Sequence, residues 1–499
     1  MLAETIQLLG DGFAVALTPK MLAYSAAGAV IGTAVGVLPG IGSAGALALM
    51  IPVLYTFDPI GSIIMLAATY TGVMYGGSTA SILLRTPGDT SAVIACLDGH
   101  EMARQGRAGP ALCIAAIAGF IAGTLAVVGL MLIGPLLARQ ALAFGAPEYF
   151  ALMLFGLTAV SGLAGSSLTK GLIACVLGLM LSTVGTDIAG VPRFIFGMND
   201  LRNGIEFLAL VMGLFALSEV LINSRNVRMG TAIKPIAYRI YISLKEIRES
   251  LGAIFRGGVS GFFVGVLPGA GAGIATFISY GIETQVAKNR ENFGKGDIRG
   301  LAGPEAANNA ASAGSFVPML SLGIPGSATT AVMLSAFFMF QINPGPLLFT
   351  QRPDVVWTLI AALYVGNVML LMLNLPLIGL FVRILYVPMR MLIPIIVVIA
   401  ITGIYSRNQA VLDLMLFCAF GGIGFYMQRF GFPLPPIILG FVLGGRLEET
   451  FRQSMMMNQG NILAILERPM VMFFIALAVL ALVLPPLLGR KRRRAVGAG

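Results

Sequence analysis

Apolar positions in this chain come in long unbroken runs, with polar positions gathered between them. Ala111 to Leu137, Ile205 to Ile222, Val355 to Leu385 and Met470 to Leu488 are examples. Each is long enough to cross a hydrocarbon core of about 30 Å as a helix. Segments of about ten alternating residues, the mark of a transmembrane β-barrel, do not occur. The pattern predicts an all-α integral membrane protein with roughly a dozen transmembrane segments.

Two runs are broken in the same way. "GVLPGIG" spans Gly36 to Gly42 and "GVLPGAG" spans Gly265 to Gly271. Upstream, Gly32 and Gly36 match Gly261 and Gly265 at one offset. Downstream, "YGGSTASILLRTPGDTSAV" (Tyr75 to Val93) is echoed by "AGSFVPMLSLGIPGSATTAV" (Ala313 to Val332). In each, Gly-Ser precedes an apolar stretch that ends in Pro-Gly (Pro87-Gly88, Pro325-Gly326) and then small hydroxyl residues. Two ordered matches predict an internal duplication, residues 1–235 and 236–499, split in a basic connection. Duplicated halves with Gly/Pro-interrupted helices are the sequence mark of secondary transporters. Whether the halves are inverted does not follow from the residues, because span counting across the breaks is ambiguous.

Proline removes a backbone donor and glycine admits close approach, so these breaks predict two re-entrant-type hairpins buried in protein. A break bares carbonyls that suit a cation and N–H groups that suit a carboxylate. The predicted cation-binding set is Pro39, Gly40, Gly42, Ser43, Pro268, Gly269, Gly271, Asn308 and Thr330. The predicted substrate-binding set is Ser78, Thr79, Ser81, Arg85, Thr86, Pro87 and Gly88 from the first half. From the second it is Asn309, Ser312, Ser315, Pro325, Gly326, Ser327 and Thr329. The competing reading is plain packing: small-xxx-small ladders bring helices together, and Ser or Thr bonds back to its own helix. Lys170 and Glu219 border apolar runs as functional or snorkelling charges, and Glu305, beside a hydroxyl- and amide-rich segment, reads as a cation ligand, a salt-bridge partner or a helix-start charge.

Composition narrows the classes. Of 499 residues 57% are hydrophobic and 11% charged, against about 25% charged in soluble domains. The net charge of +10 lies in loops. Arg225, Arg228, Lys234, Arg239, Lys245, Arg248 and Arg256 share one connection, and Arg490 to Arg494 follow the last run. By the positive-inside rule both regions are cytoplasmic, which argues against nucleic-acid binding. The start, "MLAETIQLLGDGF", carries acidic residues and no cleavage signature, so a removed signal is not expected. One histidine, four scattered cysteines and no P-loop pattern exclude a transition-metal centre, a disulfide framework and an intrinsic ATPase; "FGKGD" (Phe293 to Asp297) only approximates a phosphate loop. No catalytic constellation is evident, so an enzyme is not expected. The two readings left are an ion-coupled secondary transporter and a gradient-independent anion channel or facilitator.

The chain resembles the large membrane (permease) subunit of the tripartite tricarboxylate transporter family. The resemblance rests on the two LPG heptapeptides, "YGGSTASILL" running into "TPG", and "DGHEMARQGRAGPAL" (Asp98 to Leu112). It extends to "TKGLIACVLGLMLSTVGTDIAGVPRFIFG" (Thr169 to Gly197), "PEAANNAASAGSFVPMLSLGIPGSATTAV" and "NLPLIGLFVRIL" (Asn374 to Leu385). It implies a multi-pass bacterial inner-membrane permease with inverted repeats. It also implies a small four-span membrane subunit, a periplasmic solute-binding protein, and import of di- or tricarboxylates, citrate-like organic anions, by Na⁺ symport. Na⁺ is then the coupling ion and no cofactor is expected. Arg85 and His100 depart from the family pattern, which usually reads Asn and often Tyr there.

Overall fold

The structure, a computed structural model, describes residues 2–38, 41–55, 57–85, 87–163, 167–187, 190–226, 241–384 and 389–496. It is almost wholly helical; the strands described are one two-residue pair, Gly185–Thr186 with Pro192–Arg193. Among the described residues five helices are long and apolar enough to span a membrane. Six more apolar helices are shorter, including Gly42–Leu54 and Ala328–Met339. Gly42–Leu54 and Ala328–Met339 begin just past Gly/Pro breaks, so the breaks divide some of the apolar runs into pieces.

The N-terminal half begins with α1 (Leu2–Ala16), whose Gly12 lies on the backbone of Trp357. Next come α2 (Pro19–Val37), α3 (Gly42–Leu54) and α4 (Pro59–Leu84). Short 3₁₀ turns lead to α5 (Asp98–Arg104) and to α6 (Ala108–Ala141). Then follow α7 (Ala146–Leu163), α8 (Leu168–Ser182), α9 (Phe207–Val211) and α10 (Ser218–Asn226), the last two joined by a π-type stretch, Met212–Leu217. The C-terminal half holds α11 (Leu244–Val266), α12 (Gly271–Val286), α13 (Ile298–Gly314), α14 (Phe316–Leu322), α15 (Ala328–Met339) and α16 (Leu348–Gln351). It ends with α17 (Pro353–Ile384), α18 (Met389–Asn408), α19 (Val411–Arg429), α20 (Pro435–Met457), α21 (Ile462–Leu466) and α22 (Pro469–Val496).

The small-residue ladders do pack, and in matching pairs. A Cβ on Gly28, Gly32 or Gly36 of α2 would meet the carbonyls of Met65, Thr69 and Val73 on α4. On α11, Gly257, Gly261 and Gly265 stand against the carbonyls of Gly303, Ala307 and Ala311 on α13. Each set keeps one offset from its counterpart. Both helix pairs run parallel, since contacts ascend together along each. Across the halves the direction reverses: Tyr70 of α4 faces Phe316, with ring centroids 6.1 Å apart, while Ser78 bonds Glu305. Helices α4 and α13–α14 thus lie antiparallel. Helix α6 leans on α13, and α17 on α4, so each half is braced by a long helix of the other.

Arg85 and Gly323 stand at equivalent helix ends. Arg85 closes α4 in the left-handed region with φ of 58°, where Gly323 closes α14 with φ of 71°. That conformation costs an L-residue about 1–2 kcal/mol and is easiest for glycine or asparagine. Arg85→Asn is therefore expected to raise the melting midpoint of the purified protein slightly while leaving uptake near wild type. A loss of uptake would give the guanidinium a part in transport.

Candidate functional site

The two breaks meet. A cavity of about 690 Å³ is lined from the first half by Gly42, Ser43, Pro87, Gly88 and Asp89, and from the second by Gly269, Gly271, Ser327 and Thr329. Tyr70 and Met74 of α4, Phe215 of the π-type stretch, and Pro433 and Pro435 complete much of the wall. The volume falls within the roughly 300–1,000 Å³ of small-ligand sites.

Local sequence explains why these elements end here. Helix α3 starts at Gly42 and α12 at Gly271, each just past its LPG break. Helix α15 starts behind Ser327, whose hydroxyl accepts from Thr330 N–H while the Thr330 hydroxyl accepts from Ser327 N–H, a capping box. Three helix N-termini therefore border one cavity, an arrangement that favours anions. On the opposite strand of the break, Gly269 N–H donates to Gly326 carbonyl at 3.0 Å and ties the two Pro-Gly turns of the second half together.

One polar chain crosses between the halves. Ser43 donates through its N–H (2.8 Å) and hydroxyl (2.7 Å) to Oδ2 of Asp89, and the Ser43 and Thr329 hydroxyls lie 2.7 Å apart. With the Ser43 proton on Asp89, Thr329 donates to Ser43. Oδ1 of Asp89 accepts from Ser91 N–H at 3.1 Å. Tyr70 hydroxyl stands 3.4 Å from Ser327 Oγ. Among the described lining residues Asp89 is the single charged side chain.

The remaining candidates fall elsewhere. Pro39, Gly40 and Thr86 lie outside the described residues. Pro268, Pro325, Gly326 and Thr330 back the turns without lining the cavity. Ser78, Thr79, Ser81, Asn309, Ser312 and Ser315 are buried along α4 and α13, away from the cavity wall. Thr79, Ser312 and Ser315 bond carbonyls of their own segments, as the packing reading expects. Asn308 is fully buried with neither amide atom hydrogen-bonded. Arg85 is exposed and absent from the cavity wall. Lys170 donates to Phe430 carbonyl at 2.5 Å and sits 5.3 Å from the Phe432 ring centre, which makes it a cap on the end of α19.

A second cross-half junction was unexpected. Asp98 is fully buried, and Oδ1 accepts from the N–H groups of Gly294 (2.8 Å), Gly296 (2.9 Å) and Asp297 (2.9 Å). Its Oδ2 accepts from Tyr280 hydroxyl at 3.0 Å. Gly294 (φ 78°) and Gly296 (φ 97°) turn their N–H groups inward as an anion nest. "FGKGD" thus cradles an anion after all, and the anion is a carboxylate of the other half. Beside it Gln105 donates to Lys295 carbonyl at 2.7 Å, and Arg107 to Glu246 at 2.8 Å. Burial would raise the Asp297 carboxyl, but bonds from Arg299 side chain and N–H outweigh it and hold the group below its ordinary value.

Apolar helices of membrane length, broken at two points that converge on one cavity, define a multi-pass helical membrane protein with a central ligand-sized site. The chain belongs to the Tripartite tricarboxylate transporter TctA family, which it matches over residues 22–439. This is a transporter family and not an enzyme family. The chain is 42% identical to the uncharacterized 52.8 kDa protein in the TAR-I ttuC' 3' region of Agrobacterium vitis, over 98% of both chains. It is also 42% identical to an uncharacterized protein in the TAR-II ttuC' 3' region of the same organism, over 45% of this chain and 93% of that one. No solved structure matches the chain.

Proposed function

We propose that this protein is the large permease subunit of a binding-protein-dependent transporter that imports di- or tricarboxylates by Na⁺ symport through the cavity between the two tips. The observation that carries the reading is the convergence of three helix N-termini and the Ser43–Asp89–Thr329 chain on that cavity. The N–H groups of Gly42, Gly271 and Ala328 would receive substrate carboxylates. No described wall residue is cationic, so a bound cation beside Asp89 and Ser43 is the natural counter-charge. The halves 1–235 and 236–499 are read as inverted repeats; the matched glycine ladders and the antiparallel run of α4 against α13 support this. The family further supports a small membrane subunit and a periplasmic binding protein as partners, in the bacterial inner membrane with a cytoplasmic C-terminus.

Energetics favour symport over a passive facilitator. Moving three negative charges inward against about 100 mV costs about 7 kcal/mol, which an open path would not offset. The test is uptake of labelled citrate into proteoliposomes holding the reconstituted membrane complex and its binding protein, with Na⁺ and proton gradients imposed separately. Accumulation that follows the Na⁺ gradient is expected; accumulation indifferent to any cation gradient would establish the facilitator. Ser43→Ala removes a hydrogen bond to a charged group, about 1.5–3 kcal/mol, so apparent Na⁺ affinity should fall by about ten-fold or more.

A further inference from the structure

Glu305 lies outside the cavity and is used by nothing described so far. It is 3% exposed, on α13 where that helix crosses α4 of the other half. Both carboxyl oxygens face one hydroxyl: Ser78 Oγ stands 2.8 Å from Oε1 and 2.7 Å from Oε2. The niche around them holds about 10 Å³, room for one water at most. Its other walls are Tyr75, Thr79 and Ile82 of α4, and Leu112, Ala115 and Ala116 of α6.

No positive group faces this carboxyl among the described residues of the elements packed on α13. Arg256 of α11 is held bidentately by Glu283 of α12, at 2.8 and 2.7 Å. Tyr280 of α12 is bound to Asp98, and His100 of α5 lies 3.0 Å from Ile82 carbonyl. Tyr75 hydroxyl donates to Ala116 carbonyl at 3.4 Å, Tyr70 faces Ser327, and Cys96 and Cys113 are thiols. An isolated buried carboxylate costs several kcal/mol unless it takes a cation. The niche is too small for a metal ion with its shell of oxygens, so the cation that fits is a proton. Ser78 is one helical turn, about 6 Å, beyond Met74, which lines the cavity.

We propose that Glu305 is a proton-binding site of the transport cycle, loading and releasing a proton as α4 and α13 shift against each other. Loading forms the carboxyl O–H from carboxylate and a proton; release breaks it and returns the proton to water. In the carboxylate form Ser78 donates to Glu305, and in the acid form the carboxyl donates to Ser78, so the proton changes the bond that joins the halves. The inference rests on the transport reading above.

The test pairs two readouts on the purified membrane complex. Infrared difference spectra on a pH jump look for the carbonyl stretch of a buried protonated carboxyl, which needs no transport. Citrate counterflow in proteoliposomes, with citrate on both sides, is followed from about pH 5 to about pH 9, the window where buried carboxyls titrate. Wild type is expected to show the band and a pH-dependent counterflow. Glu305→Gln should lack the band, keep counterflow at the acid-side level, and lose its pH dependence. Ser78→Ala, which keeps the carboxyl, should move the midpoint without removing the band. An unchanged band or an unchanged pH profile in Glu305→Gln overturns the proposal. A titrating band that vanishes in Glu305→Gln, in a complex that carries no citrate, would uphold the proton site and sink the transport reading instead.

Discussion

Asp98→Ala should be the most damaging single change in the chain outside the cavity. Four donors converge on this carboxylate, and three of them are backbone N–H groups that cannot turn away. Removing it leaves the Gly296 N–H buried without an acceptor and unpairs the other three donors, and loss of one side of a buried charged junction costs about 3–5 kcal/mol. The loop Phe293–Asp297 would then lose its hold on the first half, and with it the start of α13 at Asp297. Asp98→Asn keeps one acceptor oxygen and should cost less, about 1–3 kcal/mol. Tyr280→Phe removes a single donor and serves as the mild control. Thermal midpoints from fluorescence-detected gel filtration rank the three variants; an alanine variant that melts with wild type would show that the nest is not holding the halves together.

This junction also marks a limit of what residue patterns reveal. "DGHEMARQGR" reads as a polar loop, and nothing local says that its aspartate meets a glycine-rich loop almost two hundred positions on. The helical membrane class was legible because long apolar runs have few other uses. The two tips were legible because the LPG breaks recur. Which of the small hydroxyls reach the cavity was only half legible. Ser43 and Thr329 reach the cavity while Ser78 and Ser312 do not, yet all four are small hydroxyls in apolar segments. What separates them is whether the helix has already ended, which depends on the LPG break before Gly42 (φ 63°) for Ser43 and on the left-handed closure at Gly323 for Thr329, not on the hydroxyls themselves. Asp89 escaped notice because its counterpart in the second half is Ser327, so the duplication did not point to it. Tyr70 and Phe215 stand in apolar stretches with nothing local to single them out; the π-type stretch that brings Phe215 to the cavity leaves no reliable trace in sequence.

The same pairing allows a prediction with a built-in comparison. Gly88 and Gly326 follow the prolines of the two Pro-Gly turns and press on equivalent glycines of the ladders, Gly36 and Gly265. A methyl on Gly88 would overlap the Gly36 carbonyl oxygen and come within 2.9 Å of Gly77 Cα, all of it backbone. A methyl on Gly326 would sit 2.8 Å from Ser315 Cα and 3.0 Å from Gly265 oxygen, tight but less so. Backbone on both sides cannot rotate aside, so the first tip must move as a body, carrying Asp89 off Ser43. Overpacking of this kind costs about 1–3 kcal/mol, with Gly88→Ala expected at or above the top of that range and Gly326→Ala near its middle. Transport should fall further than stability does, because the displaced residues line the cavity. Citrate uptake should be lost in Gly88→Ala and reduced in Gly326→Ala, with both proteins still recovered from the membrane. Equal and near-normal uptake would mean that the tips tolerate displacement, and the cavity between them would no longer account for transport.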